Sequence, residues 1–526
     1  MMMRKSLTWA AVLVMVLIAI SCTQSCSRLQ TLLENSSGQQ NEPGSADDTG
    51  QSGDIILEEG QNFEAFIADV QDMRRSRIEN MSSADLTVLA APLLTLIEDT
   101  RVFGSQTLAE LGRNYQKTAQ EIRYMNSEEY GRWGRNVEET IAAGRDNETM
   151  RDLSPDELRN ILLNLQEAPA SDEVCSSLFN KAAESVYLSP GENVNAANTV
   201  CPEGTVFVLL PGFYTLAAVE SSKTNNSWAG VGRVVFEGQL TVGRAFSGGL
   251  NGNTVRGLEI NNYNDFGIYS SGLEDLVVKD VDFNVIAVDK NGQSRGAVML
   301  FDAENIEITD SQFSNVASSV RFVSSRGPLR VEANSALNSG RNFFQCDKCS
   351  GGGIRINRNS MEREQQVGTQ PLEDWINIYQ SNGLADDPIQ VNYNRARGHS
   401  ESKSGSFIML GDDGGSHQLA RGNIGVNPGQ VGIGIAGGSH IRVENNKMFS
   451  EAWEGSNVAF YSARYSEECG NHVFAESGNV AHWRSSTGRL NRSWTDENCG
   501  TTMGQIRSRV AEDLTMSAEI WDEWQP

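Results

Sequence analysis

Five short segments share one alternation of apolar and polar residues: VRFVSSR from 320, FQCDKC from 344, INIYQS from 376, IMLGDD from 408 and IGIAGG from 433. Stacked by their apolar positions, they turn the remaining side chains outward in rows. One row reads Arg321, Gln345, Asn377, Met409 and Gly434, and the next Val323, Asp347, Tyr379, Gly411 and Ala436. Ser324, Lys348, Gln380, Asp412 and Gly437 lie beyond them. Parallel strands stand about 4.8 Å apart, so such rows span roughly 20 Å of one face. Arg321, Gln345 and Asn377 can bind hydroxyl groups, the Tyr379 ring can stack, and the small residues open a trough, which is the kind of surface a sugar chain needs.

Two reactions suit these residue types. Removal of a proton next to a uronate carboxylate needs a base and a cation that neutralises the carboxylate, roles open to Lys348 and Arg321. Hydrolysis of a glycosidic bond needs two carboxylates flanking it, for which the candidates are Asp347, Asp412 and Asp413. Lys348, Asp347 and Asp412 are therefore the catalytic candidates. Glu373 and Asp374, with Asp347, form a candidate oxygen-ligand set for Ca²⁺, the one cofactor the pattern suggests. Taken singly, each of these residues suits an exposed polar position or, as in GDDGG at 411–415, a turn better than it suits a site. His399, His417, His440, His472 and His482 form no paired zinc motif, and no Gly-rich run leads into Lys-Ser or Lys-Thr as a nucleotide site requires. A formal charge of −25 opposes binding to a nucleic-acid backbone. Residues 321–403 depart from that balance, with eleven Arg and Lys against nine Asp and Glu.

The elements that must hold these residues are strands punctuated by Gly, Asn, Asp and Ser, too closely spaced for helices between them. An Asn falls five residues after the first apolar position in LRVEAN, IRINRN, IQVNYN and IRVENN, giving Asn334, Asn359, Asn394 and Asn446. Asn423 and Ser311 take the same place in weaker copies. A recurring Asn implies coils that each bend at the same point, with a left-handed residue there bonding its equivalents above and below. The expected fold is mainly β: a right-handed parallel β-helix of about ten coils over residues 195–500, with a helical region at 55–170 and a helix or tail at 501–526.

Ser154-Pro155-Asp156-Glu157 reads as a helix start, and Phe63, Phe66, Ile67 and Val70 as a helical stripe. The helical region is expected as a separate bundle or a cap on one end of the solenoid. Ile506, Val510 and Leu514 mark a short helix that closes the other. Residues 1–22 read as a signal peptide, since Arg4 and Lys5 precede an apolar run too short to span a membrane. The run ends Ala19-Ile20-Ser21-Cys22, similar to a bacterial lipobox, which implies cleavage before Cys22, its lipidation and a membrane anchor. Residues 23–54 suit a disordered tether. The six remaining cysteines after Cys26 fall in neighbouring pairs, Cys175 with Cys201, Cys346 with Cys349 and Cys469 with Cys499, and are expected as disulfides of an exported protein.

INIYQSNG (376–383), IMLGDDGGS (408–416), NPGQVGIGIAGG (427–438), YSARYSEECGNH (461–472) and WTDENCG (494–500) resemble a bacterial group of right-handed parallel β-helix repeat proteins in the pectate-lyase-like superfamily. The resemblance covers residues 200–500. It implies a carbohydrate-active fold, mostly lyases, hydrolases and epimerases of acidic polysaccharides, with surface-binding members and no settled activity for the group. Two expectations follow from it. One is an exported, lipid-anchored protein that binds and processes an extracellular polysaccharide; the other is a non-catalytic surface, adhesion or glycan-binding protein.

Overall fold

The computed structural model describes residues 117, 119–143, 185–369, 371–398, 402–464, 469–475 and 478–508. The leader with Cys22, the tether, most of the helical region, Cys175, His399 and the tail beyond residue 508 lie outside the described residues.

The strands wind into a parallel β-helix with three stacks. Every strand of a stack pairs in parallel with its equivalent one coil on. The first stack runs from Ser185–Leu188 to Thr502–Met503 and the second from Gly212–Thr215 to Arg507–Ser508. The third holds eleven strands, from Val219–Glu220 to Ser493–Thr495, close to the ten coils expected. Seven strands of the third stack carry the site: β1 (Val320–Val323), β2 (Phe344–Asp347), β3 (Asp374–Asn382), β4 (Ser406–Arg421), β5 (Val431–Ile435), β6 (Val458–Ser462) and β7 (Ser493–Thr495).

Alternation turns one residue in two inward, and the inward set is apolar. Ile376, Ile408, Ile433 and Phe460 lie in register and are fully buried. Phe283 and Phe313 stack likewise, their ring centroids 5.1 Å apart. Each such side chain contributes roughly 1.5–3 kcal/mol on leaving water. That gain is what makes each coil settle on the one before.

The predicted Asn column is present, buried, and one position different in detail. Asn359 Oδ1 accepts from both the backbone N and Nδ2 of Asn334, at 3.0 and 3.1 Å. The same pair of bonds links Asn359 to Asn394, Asn394 to Asn423, Asn423 to Asn446, and Asn446 to Asn479. Each Nδ2 also donates to a backbone carbonyl of an earlier coil, such as Ile356 O for Asn394 at 2.8 Å. Ser311 N joins the lower end by donating to Asn334 Oδ1. The left-handed residue is not the Asn but its predecessor: Ala333, Arg358, Tyr393, Gly422 and Asn445 have φ between 56 and 69°. The chain turns at that residue and the Asn enters the interior, where its amide can satisfy otherwise buried backbone groups.

Two helices, α1 (Ala119–Tyr124) and α2 (Ser127–Ala143), belong to the described part of the helical region. They lie along the side of the first stack, not over an end. Ile122, Tyr130, Trp133 and Val137 pack on the outward Val206, Val208, Ala229 and Val231. Arg256, fully buried, donates to Ile122 O at 2.7 Å, pairs with Asp280 and sits 3.5 Å over the Tyr130 ring. At the other end, residues 501–508 are not helical. Thr502 and Arg507 donate to His472 O and Asn479 O and so continue the coil, and Ile506 packs on the core; Val510 and Leu514 lie outside the described residues.

Cys346–Cys349 and Cys469–Cys499 are disulfides, as their spacing predicted. Cys201 is buried and disulfide-bonded, while its expected partner Cys175 is outside the described residues.

Candidate functional site

The first outward row forms as read from the sequence. Arg321 pairs with Gln345, Gln345 with Asn377, Asn377 with Met409 and Met409 with Gly434. It then continues through Tyr461 on β6 to Trp494 on β7, two residues the sequence reading missed. Extending the same alternation into VAFYS and SWT finds both.

The second row carries a correction. Val323, Asp347 and Tyr379 align, but the next partner is Asp412, not Gly411. β4 holds one extra residue between Met409 and Asp412, a bulge set against Asn377 and Tyr379. Gly411 takes φ 57° there, and a Cβ on it would stand 2.3 Å from Gly437 O. The bulge therefore needs glycine, and it moves Asp412 from the outer row into line with Asp347 and Tyr379.

These residues line a groove of about 930 Å³. Its floor is a connected polar network. Arg321 Nε donates to Asp347 Oδ2 at 2.9 Å, and its Nη2 reaches the same oxygen. Gln345 Nε2 donates to Asp347 Oδ1 at 2.7 Å, and Arg341 Nη1 to Gln345 Oε1 at 2.6 Å. Asn377 Nδ2 is shared between Asp374 Oδ2 at 2.7 Å and Asp412 Oδ2 at 2.8 Å. Tyr379 Oη donates to Asp413 at 2.9 Å. Asn377 Oδ1 and Arg341 Nε are buried without a hydrogen-bond partner.

Burial decides the acidities. Asp374, which also accepts from the Ser406 N–H and hydroxyl, is pushed up to about 7, first by desolvation and then by the charge of Asp412. Asp412 is raised by burial, with Asp413 and Asp347 adding like charge. Burial thus leaves the Asp374 carboxyl partly protonated near neutral pH and shifts Asp412 in the same direction. The Tyr379 hydroxyl is raised by its bond to the Asp413 carboxylate.

The remaining candidates fall elsewhere. Lys348 occupies the left-handed corner after β2, at φ 57°, exposed and not among the residues lining the groove. The Ca²⁺ set does not assemble. Glu373 is paired with Arg341 at 2.6 Å, Asp347 with Arg321, and Asp374 turns to Ser406 and Asn377. Among the described residues, no three His, Cys, Asp or Glu side chains converge as a metal site.

The architecture is that of the parallel β-helix proteins. No protein-family model matches the chain, and no curated protein matches it in sequence. Among solved structures, the β-helix is similar to a GH136 lacto-N-biosidase from Eubacterium ramulus, at 11% identity over 95% of this chain and 99% of that one, TM-score 0.40. It is also similar to the catalytic domain of a GH87 α-1,3-glucanase in complex with nigerose, at 12% identity over 65% and 70%, TM-score 0.42. A periplasmic alginate epimerase gives 10% identity over 62% and 84%, TM-score 0.37. These likenesses stop at the general winding of the chain, and the chemistry of the β-helix is read from its own groove.

Proposed function

We propose that this protein hydrolyses a polysaccharide in the groove of the third stack. The observation that carries the reading is the Asp374–Asn377–Asp412 cluster, two carboxyls raised by burial beside a third, ion-paired carboxylate, Asp347. In this reading Asp412, raised by burial and by its acidic neighbours, carries the proton and gives it to the leaving glycosidic oxygen as the bond to the anomeric carbon breaks. Asp347 orients a water, takes its proton as the hydroxyl adds to the carbon, and balances the positive charge that develops there. Asp347 and Asp412 flank Tyr379 on alternate coils, about 10 Å apart along the stack. That suits the wider carboxylate separation of inverting glycosidases, roughly 6.5–9.5 Å, better than the narrower one of retaining enzymes.

Proton abstraction from a uronate is less well supported. Arg321 is already committed to Asp347, and Lys348 is at a corner outside the groove. The chain is read as exported and lipid-anchored through Cys22. The two disulfides suit an oxidising compartment, and no helix among the described residues is long and apolar enough to cross a membrane.

Incubation with a panel of polysaccharides tests the reading. Release of reducing ends, lost by a factor of about 10²–10⁴ in Asp412→Asn while binding persists, is the expected result. Unsaturated, ultraviolet-absorbing products would assign a lyase, and binding without any product a glycan-binding protein.

A further inference from the structure

The charges around the groove carry a statement about what enters it. Three cations line it: Arg321, Arg341 and Lys403. Arg321 holds Asp347 and Arg341 holds Glu373, and the side chains of both arginines are largely buried in those pairs. Lys403 stands at the rim, its side chain 81% exposed, beside Glu454 at 3.7 Å. On the other side of the balance, Asp374 and Asp412 line the groove and are hydrogen-bonded only by neutral groups, an asparagine amide and a serine, while Asp413, held by Tyr379 and Gln380, is exposed and not among the lining residues. A carboxylate or sulfate on the ligand would meet Asp412 with both largely buried arginines already paired to acids, a cost of several kcal/mol when one like charge faces another in a partly desolvated site.

The far end of the groove is aromatic. Trp494 is 52% exposed, while Tyr461 beneath it is buried, lies over Gly434 and donates its hydroxyl to Met409 Sδ at 3.1 Å. From Asp412 on β4 to Trp494 on β7 is three coils, about 14 Å.

We propose that the groove selects an uncharged glycan lying along the stack, with Trp494 as a stacking platform about 14 Å from Asp412. This rests on the groove being the glycan site proposed above, though not on cleavage taking place there. The polar rows then meet hydroxyls, which both donate and accept, and the flat Trp494 ring meets the apolar face of a sugar.

Affinity electrophoresis of the full chain tests this separately from turnover, comparing the natural protein with Asp412→Asn, which does not cleave. Retardation is expected in gels containing neutral glucans or galactans, little affected by salt. Polygalacturonate and alginate should bind weakly, and better as salt screens the repulsion. In Asp412→Asn the affinity for polygalacturonate should rise several-fold over that of the natural protein. Trp494→Ala should weaken binding of hexasaccharides about two- to tenfold while changing disaccharide binding far less. Tighter binding to uronans than to neutral polymers, falling with salt, would overturn the proposal, as would failure to bind any neutral polymer. Binding to neutral glycans without product release leaves it standing and removes the hydrolase reading instead.

Discussion

At the scale of single residues, the site depends on how little water reaches two carboxyls. Asp374 is titrated near 7 because it is buried, so its proton is lost as pH rises through that value. If Asp412 is the acid, kcat/KM falls on the alkaline side as its proton is lost, at a pH above the ordinary carboxylate range. Asp413 raises Asp412 by like charge, so Asp413→Asn should move the alkaline limb of the pH profile to lower pH. An unmoved limb would separate Asp413 from the reaction. The same burial has a consequence for stability. A carboxyl whose folded pKa lies above its unfolded value keeps its proton longer in the native state, so its contribution is present below the unfolded pKa and is lost as pH rises to the folded one. Between about pH 4 and 7 the unfolding free energy of the natural protein should therefore fall relative to that of Asp374→Asn, measured by urea titration. Asp347 was legible as an acid of this face because alternation fixes direction. Asp374 was mistaken for a metal ligand, since its partner Ser406 lies 32 residues away and no local pattern joins them.

At the scale of elements, the Asn column and the bulge of β4 do different work. The column fixes where each coil bends. Asn394 donates to Asn423 and to Ile356 O and accepts twice from Asn359, all without solvent. Asn394→Ala leaves several buried groups unpaired and should cost roughly 3 kcal/mol, seen as a lower denaturation midpoint with an unchanged far-ultraviolet circular dichroism spectrum. The bulge, by contrast, places one carboxylate. The register of β1, β2 and β3 followed from the sequence because their apolar residues keep strict period two. It failed at Asp412 because an extra residue reverses every later side chain, and only contact with the neighbouring coil shows where the extra residue sits. Likewise the recurrence of Asn located the corner, while the left-handed φ falls on Ala333, Arg358 and Tyr393, residue types with no preference for it. Neighbouring coils impose that conformation.

At the scale of the whole molecule, the coil was readable from the sequence, but the berth of the helices was not. The helical signals read at 63–70 and 154–157 lie outside the described residues, and the outward Val206, Val208 and Val231 that receive the two described helices look in sequence like ordinary strand residues. A chain beginning at Ser185 would expose those side chains and leave Arg256 without the carbonyls of Ile122 and Met125. Such a fragment should unfold several degrees lower than the full chain and associate in solution, by thermal denaturation and light scattering. Equal melting points would show that the solenoid stands alone.

Because the third stack assembles its wall from strands of successive coils, the distance from Asp412 to Trp494 is a whole number of repeats. Gene segments encoding one repeat, duplicated or excised between β4 and β7, would lengthen or shorten the seat for the ligand by a fixed increment without disturbing the acids themselves. Preference for oligomer length in this architecture is thus a digital property, adjusted by copying a unit and not by reshaping a loop.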